Sequence, residues 1–505
     1  MRATLAWVCL GQCFLAEAQS FSHRYDTFEQ DYAQVGWGIE YWGDSGYVVF
    51  PFSYYSESPL LYIVVAYERI DLNGTRLLDN TLTGGLKSVY PGWANSSIQC
   101  VDGSYAIGGS TYAPGDISRA AITRYGHGGD SLSLWEYGDT IDDWIGRQIL
   151  QTADGGYLLT GDVSTAIQVN AFLIKTDSFG SEEWSQTYGG SWNDVATSVD
   201  LASGSGYYFG GTYGTSNSNY DLWVKRVDSI GAPVWNKVWG GPYNEPHAHV
   251  YTLASGDVFV ASSQRLNGNS YSTPYLACLS QIDGSTIWEH FYGQEYFSTL
   301  FFVGKEITPG GDLIAAGQTD EPGYVNGLLL RTNSNGDSLW MRRYMYEDSL
   351  MSNGQGAFRD VLPTADGGFI MCGYAHSSVI SPNPPGYTQD VWVVKVDSMG
   401  CLVPGCNGIS TITSQITNYR DALTIAPNPA HTNVHMGWAL PTALRNKGNA
   451  EISIVNAQGR LVRTLPCDLS REGLDLDVSD LAAGIYHPHV AHGGPWLTGG
   501  KLVVE

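Results

Sequence analysis

DGGYLLTGDVSTAIQVNAFLIKTDSFGSEEWSQTYGG, residues 154–190, is the stretch around which the chain is organised, because degraded copies of it return along most of the sequence. Asp154-Gly155-Gly156 is a turn, and Tyr157 to Gly161 is a short apolar, β-rich run that closes on another glycine. Ala171 to Thr176 is a second apolar run of strand length, and Asp177-Ser178-Phe179-Gly180 turns the chain into Glu183 to Tyr188. Trp184 and Tyr188 stand four apart, so the two-residue period of a strand puts both rings on one face. The next copy repeats the scheme with Gly206 to Gly210, Leu222 to Val227, Asp228 to Gly231, and then Trp235 and Trp239.

The glycine-turn strand recurs at Tyr47, Tyr105, Tyr157, Tyr207, Val258, Leu313 and Phe369, roughly every 50 to 58 residues, a spacing of propeller blades or solenoid repeats. A further strand sits between each double glycine and the next turn, as in Val195 to Leu201. Four strands per copy, glycine turns and no helical period predict an all-β fold, a seven-bladed β-propeller over residues 19–407. The seventh copy runs from its third strand, Val391 to Asp397, into Cys401-Leu402-Val403-Pro404-Gly405-Cys406 in place of a tryptophan strand. It therefore lacks an outer strand, and the segment His23 to Phe28 near the start of the chain is expected to supply it and close the ring.

Residues 1–18 read as a secretory signal peptide, with Arg2, an apolar run from Leu5 to Leu15, and Ala16-Glu17-Ala18 as the cleavage site. That run is too short to span a bilayer, and no other run approaches membrane length. Asp plus Glu is 50 against 26 for Lys plus Arg, a net charge of -24, which repels a phosphate backbone and argues against a nucleic-acid partner. Eight cysteines are too few for a disulfide scaffold in 505 residues. Cys401 and Cys406 are close enough to pair in an oxidising compartment, and Cys100, Cys278, Cys372 and Cys467 read as isolated thiols.

Residues 408–423 drop the repeat and read as a Ser/Thr-rich linker. Beyond them, short alternating strands with turn signals over residues 424–505 predict a small Ig-like β-sandwich. Its opening Pro427-Asn428-Pro429, the hairpin Asn456 to Arg460 with Gly459 and Arg460, the series Asp477 to Leu481 followed by Gly484-Ile485-Tyr486, and the Lys501 to Val504 end resemble the C-terminal sorting domain of the type IX secretion system, the Por secretion tail. The resemblance implies passage through the periplasm, engagement of the type IX machinery, export across the outer membrane and, often, removal of this domain. One departure is His487-Pro488-His489, which interrupts the apolar alternation and is expected to weaken one strand. The repeats before it also resemble the propeller-like repeats of proteins that carry this sorting domain.

Asp177, Gly180 and Trp184, then Asp228, Gly231 and Trp235, share a spacing that recurs around Trp340 and, more loosely, Trp288. It is similar to the tryptophan-docking turns of quinoprotein propellers and close to the Asp-box hairpin of sialidases, though one residue longer between Gly and Trp; in both families such residues brace blades. The physical reading is the same: the Asp bonds its own turn, Gly supplies a positive φ, and Trp fills the wedge between blades. The adjacent cysteine pair of quinoprotein dehydrogenases is missing from the sequence, and the arginines are too scattered to be read as a sialidase triad. His247 and His249 could be two metal ligands on one strand face, although no third is evident. Asp142-Asp143 and Glu347-Asp348 are neighbours in sequence, point to opposite faces and do not make a catalytic dyad. No cofactor is indicated; oxygen-rich loops would suit calcium at a blade junction.

The loops between second and third strands are long at Phe52 to Pro59, Thr212 to Tyr220, Arg265 to Tyr275 and His376 to Gln389, and share one propeller face with the crossings between blades. They are rich in Tyr, Ser, Asn and Pro, a composition suited to sugars or protein surfaces, and Tyr54, Tyr55, Trp192, Asn193, Tyr213 and Tyr387 are the candidate contacts. The expected function is therefore recognition of an extracellular glycan or protein. The alternatives are a polysaccharide hydrolase or lyase working in the central channel, and a purely structural surface protein. Carboxylates clustered with basic or histidine partners in the channel would favour an enzyme, and an aromatic, uncharged face would favour binding.

Overall fold

The computed structural model describes residues 20–25, 34–402 and 423–505, apart from 58–59, 83–86, 114, 217–218, 242, 266–270, 294–297, 322–323, 347–354, 377–380, 383–384, 387–388, 441–448, 457–460 and 492–495. The signal-peptide, linker and Glu347-Asp348 readings, together with Tyr387, Cys406, Gly459 and Arg460, lie outside the described residues.

Every repeat becomes one antiparallel sheet. The unit at 143–188, for instance, forms the strands Asp143–Gln151, Tyr157–Ser164, Val169–Thr176 and Glu182–Tyr188, paired in that order from inside to outside. Seven such sheets are described, at 35–82, 88–137, 143–188, 195–239, 249–291, 298–344 and 355–396. Their faces bury apolar side chains against the next sheet rather than within one. Tyr67 and Phe50 of the first meet Tyr105 of the second, Phe172 of the third meets Ile122 of the second, and the series continues to Phe358 of the seventh against Ile314 of the sixth. Val49 and Ile39 of the first sheet then meet Ile370 and Cys372 of the seventh, so the stack closes into a propeller.

The closing strand is Phe21–Tyr25, which pairs antiparallel with Gln389–Val396 as the missing outer strand. Its position is two or three residues before the segment expected from the sequence. The reason lies at the rim. In each regular outer strand the tryptophan lies flat against the glycine turn of the following blade: an added Cβ would come within 2.7 Å of Trp235 at Gly284, 2.7 Å of Trp288 at Gly336 and 2.8 Å of Trp340 at Gly400. Four residues on, in the third, fifth and sixth blades, a tyrosine hydroxyl donates to that glycine's carbonyl, Tyr188 to Gly231 at 2.8 Å, Tyr292 to Gly336 at 2.6 Å and Tyr344 to Gly400 at 2.8 Å, whereas the fourth has Trp239 at that place. Phe21 and Tyr25 reproduce both contacts on Gly74, the ring 2.8 Å from an added Cβ and the hydroxyl 2.7 Å from the carbonyl oxygen. The pattern aromatic-x-x-x-Tyr in FSHRY thus selects the register.

The turns hold their shape as the sequence predicts. Asp177 Oδ1 accepts the N–H groups of Phe179 and Ser181 at 2.8 Å each, Asp228 does the same for Ile230 and Ala232, and Gly180 and Gly231 have φ of +82° and +83°. Trp184, half-buried, packs against the cluster of the third and fourth sheets, and Trp235 and Trp340 are buried. The junction of the first two blades departs from the rule. Leu78 stands at the tryptophan place, and Tyr67 donates to the His127 carbonyl instead. Cys401 is disulfide-bonded, whereas Cys100, Cys278, Cys372 and Cys467 are free and buried.

Residues 423–505 form a three-stranded sheet, ordered Leu423–Ala426, Asn433–Trp438, Gly473–Asp477, and a five-stranded sheet centred on Asn449–Asn456 and Gly484–Ala491. One apolar core lies between them, with Met436, Trp438, Ile452, Ile454, Val490 and Leu502 buried. Asn428 explains the Pro-Asn-Pro opening: its amide donates to the Lys501 carbonyl at 2.6 Å and its oxygen accepts the Val503 N–H at 2.8 Å, which staples the two ends together. Tyr486 donates to the Ala482 carbonyl at 2.7 Å. The expected weakening at His487-Pro488-His489 does not occur. Gly484–Ala491 is continuous, with Pro488 opposite Ile454 and His489 buried. No described helix is long and apolar enough to cross a membrane.

Candidate functional site

The inner strands are where the seven copies stop resembling one another. Five of them carry a β-bulge at the same place, where the register skips Trp37 with Gly38, Arg147, Thr197, Phe302 and Arg359 in turn. A bulged residue is freed from its ladder partner and can aim its side chain away from the sheet. In the second blade the inner strand is split into Ser88–Pro91 and Ser97–Gln99, with Trp93 in the gap; in the fifth, His247 precedes His249–Thr252. One residue per blade thus stands at this level.

These side chains meet around the axis. The Arg147 guanidinium lies 4.7 Å from the Trp93 ring centroid and bonds Asp162 at 2.7 Å, while the Trp93 ring meets the His247 ring edge-on at 4.8 Å. Trp93 belongs to the second blade and His247 to the fifth, so the tryptophan reaches across the opening. On the other side, Arg359 lies 4.0 Å from the Phe302 ring, 5.1 Å from Trp37 and 5.5 Å from Tyr374. Trp37, Trp93, Arg147, His247, Phe302 and Arg359 are each half-buried. Inner strands run from the blade crossings toward the glycine turns, so this layer stands at the crossing end. That is also the face of the long loops.

One level deeper the channel is acidic and basic. Lys305 bonds Asp360 at 2.8 Å, and Asp360 also accepts the Ile39 and Val361 N–H groups at 3.1 and 2.7 Å. Glu40 accepts the Ser97 hydroxyl at 2.9 Å, and burial pushes its pKa up to about 8 against the opposing pull of Lys305. Asp200 accepts the Thr252 N–H at 2.6 Å, and burial lifts it to about 6. Burial also holds His247 and His249 near 3, with His249 and Arg147 adding to the effect on His247 and Arg359 to that on His249, so both rings are neutral at physiological pH. A cavity of about 130 Å³ runs between Gln148, Asp200, His249, Tyr251, Phe302 and Lys305.

The residues singled out from the sequence fall mostly elsewhere. Trp192 is exposed in the crossing of the third and fourth blades, and Asn193 beside it accepts the Val169 N–H at 2.9 Å. Tyr213 is half-buried, packs edge-on to Trp223 at 5.4 Å and sits under Gly190, so it braces its blade. Tyr54 and Tyr55 lie on the strand Gly46–Glu57, opposite Ile63 and Tyr62. His247 and His249 both face the channel, but among the described residues no third His, Cys, Asp or Glu completes a metal-ligand set. Asp143 accepts the Ser118 N–H at 2.7 Å and braces a loop. Apart from His247, the inner-strand residues were not singled out from the sequence, although a signal existed: a Trp, Arg, His or Phe recurs at an almost constant offset before six of the seven glycine turns, with Thr197 in the fourth blade.

Residues 424–505 match the family model of the secretion system C-terminal sorting domain, the Por secretion tail. No curated protein matches the chain. Among solved structures, the chain is similar to Sqt1 from Chaetomium thermophilum, with 11% identity, 69% of this chain and 84% of that one covered, and a TM-score of 0.40. It is also similar to CoXyl43, a GH43 β-xylosidase/α-arabinofuranosidase from a compost microbial metagenome, in a calcium-free complex with xylotriose, with 11% identity, 61% of this chain and 91% of that one covered, and a TM-score of 0.27. The fold rests on the strand pairing given above and not on these likenesses.

Proposed function

We propose that this protein, which carries a type IX secretion sorting domain at residues 424–505 and is therefore secreted or held at the cell surface, recognises an extracellular glycan through the crossing face of its propeller. The observation that supports the reading is the ring of aromatic and cationic side chains at the channel mouth, Trp37, Trp93, Arg147, Phe302 and Arg359. Flat rings stack on the C–H faces of pyranoses, and guanidinium donors serve hydroxyl or carboxylate oxygens. Exposed Trp192, Tyr243 and Tyr271 extend the same face outward. On this reading residues 1–18 are removed on entry to the periplasm. A protein ligand on the same loops is the alternative outcome of the test.

A glycan array probed with the secreted protein, with and without calcium, tests the reading. Selective binding that is lost in Trp93→Ala is expected, and a blank array would refute it. Deleting 424–505 should leave the protein in the periplasm, whereas its normal appearance in the medium would refute the export assignment.

One observation favours a second reading. Glu40 and Asp200 are carboxyls of raised pKa within the field of one lysine, Lys305, a combination that could serve acid–base cleavage of a polysaccharide. Against it, both carboxyls, like Asp360, already accept hydrogen bonds from the protein. New reducing ends on incubation with polysaccharide, absent in Asp200→Asn, would establish the enzyme.

A further inference from the structure

We infer that the channel mouth takes a saccharide ending in a carboxylate, a uronate-type terminus, with its charged group on Arg359. The inference rests on the glycan reading above and gives it a chemical class.

The two other cations of the channel have their counter-ions, Arg147 in Asp162 and Lys305 in Asp360. Away from the axis the same rule holds in four blades, where a third-strand base meets the acid of the glycine turn: Arg124 with Asp102, Lys175 with Asp154, Arg331 with Asp312, and Lys395 with Asp366. Arg359 breaks it. Among the described residues it has no ion pair and no hydrogen bond, and its Nε is sealed from solvent without an acceptor. Its partners are ring faces, with Phe302 at 4.0 Å and Trp37 at 5.1 Å.

Aromatic faces stabilise a cation from above but leave the five in-plane N–H donors unanswered. A guanidinium partly withdrawn from water with no acceptor costs free energy, and a carboxylate is the group that meets its fork with two parallel bonds. Burial lowers its pKa, yet only to about 10, so the charge is present at neutral pH.

Two further facts narrow the anion. The chain's net charge of -24 opposes the approach of a polyanion, so a ligand with one charge is favoured over an acidic polymer. Phe302, the ring nearest Arg359, also lines the axial cavity of about 130 Å³, so the site adjoins a small axial space and not a long groove, which suits a chain end. The rings beside Arg359 supply the stacking surface for the sugar that bears the carboxylate.

The test uses the full secreted protein and a pair of probes, an oligosaccharide ending in glucuronate and the same molecule with that carboxyl reduced to the alcohol. Calorimetry should show the acid bound about ten- to hundredfold more tightly, the range for a hydrogen-bonded charge. Arg359→Gln should remove the preference, so that the acid and the alcohol bind alike, and Arg359→Lys should recover part of it. Loss of the preference in the presence of inorganic sulfate or phosphate alone, at concentrations well below those of a screening salt, would reassign the site to a tetrahedral anion and overturn the carboxylate. Equal affinity of the unaltered protein for both probes overturns the inference and leaves glycan recognition standing. No binding of either probe, together with a blank array, overturns both.

Discussion

The rim and the axis of this propeller are built from the same repeat but follow opposite rules. At the rim, all blades but the first set an aromatic ring on the next blade's glycine, and all but the first and fourth add a tyrosine hydroxyl on that glycine's carbonyl; even the closing strand reproduces both with Phe21 and Tyr25. At the axis the equivalent position holds Trp37, Trp93, Arg147, Thr197, His247, Phe302 and Arg359, a different chemistry in nearly every blade. The difference teaches where each constraint acts. Junctions between blades are geometrically equivalent, so one solution recurs at nearly all of them. The channel is a single shared space, so its seven contributors are chosen together against whatever occupies it.

The comparison breaks if rim and axis substitutions have the same effect. The largest effect should come from deleting residues 20–25, which exposes the edge of the seventh blade and removes its rim dock. Cooperative unfolding near that of the intact protein would mean that the ring does not depend on this closure. Next, Trp340→Ala should lower stability by about 3–5 kcal/mol in denaturant titration, as a large buried truncation does, while glycan affinity stays unchanged. Tyr344→Phe removes only the hydroxyl that meets the Gly400 carbonyl, and should cost about 1 kcal/mol. A loss as large as that of Trp340→Ala would show the hydroxyl to be the main element of the dock.

The smallest effect is one of pH. Glu40 has its folded pKa raised from 4.5 to about 8, so between those values the folded chain holds a proton that the unfolded chain has released. Its contribution therefore favours the folded state at low pH and is lost as pH rises through that window. The melting temperature of Glu40→Gln should fall less between about pH 5 and 8 than that of the unaltered protein, and parallel curves would show that Glu40 is ionised in the folded state.

The rim could be read from the linear chain because its signals are local. Asp, Gly and Trp keep a fixed spacing within one turn and strand, as at Asp177, Gly180 and Trp184, and the repeat multiplies the evidence. The closing strand was legible in kind but was misplaced by two or three residues, since FSHRY carries the rim pattern without the tryptophan. The tyrosines proposed as contacts illustrate the opposite case. Tyr213 has a binding-loop composition around it, yet it packs on Trp223 because its strand extends further than the glycine pattern indicates.

The channel mouth could not be assembled in that way. Arg359 and Trp37 stand more than three hundred residues apart, and nothing local to either says that a bulge will turn it toward the axis. Even the bulges are invisible to composition, because they are a property of how two strands pair. The sequence by itself determined the repeat, the glycine turns, the aromatic docks and the sorting domain, all of which depend on neighbours within one or two elements. Only the closed ring decided which seven side chains share the axis and which cation is left without a counter-ion, because that depends on bringing distant copies to a common centre.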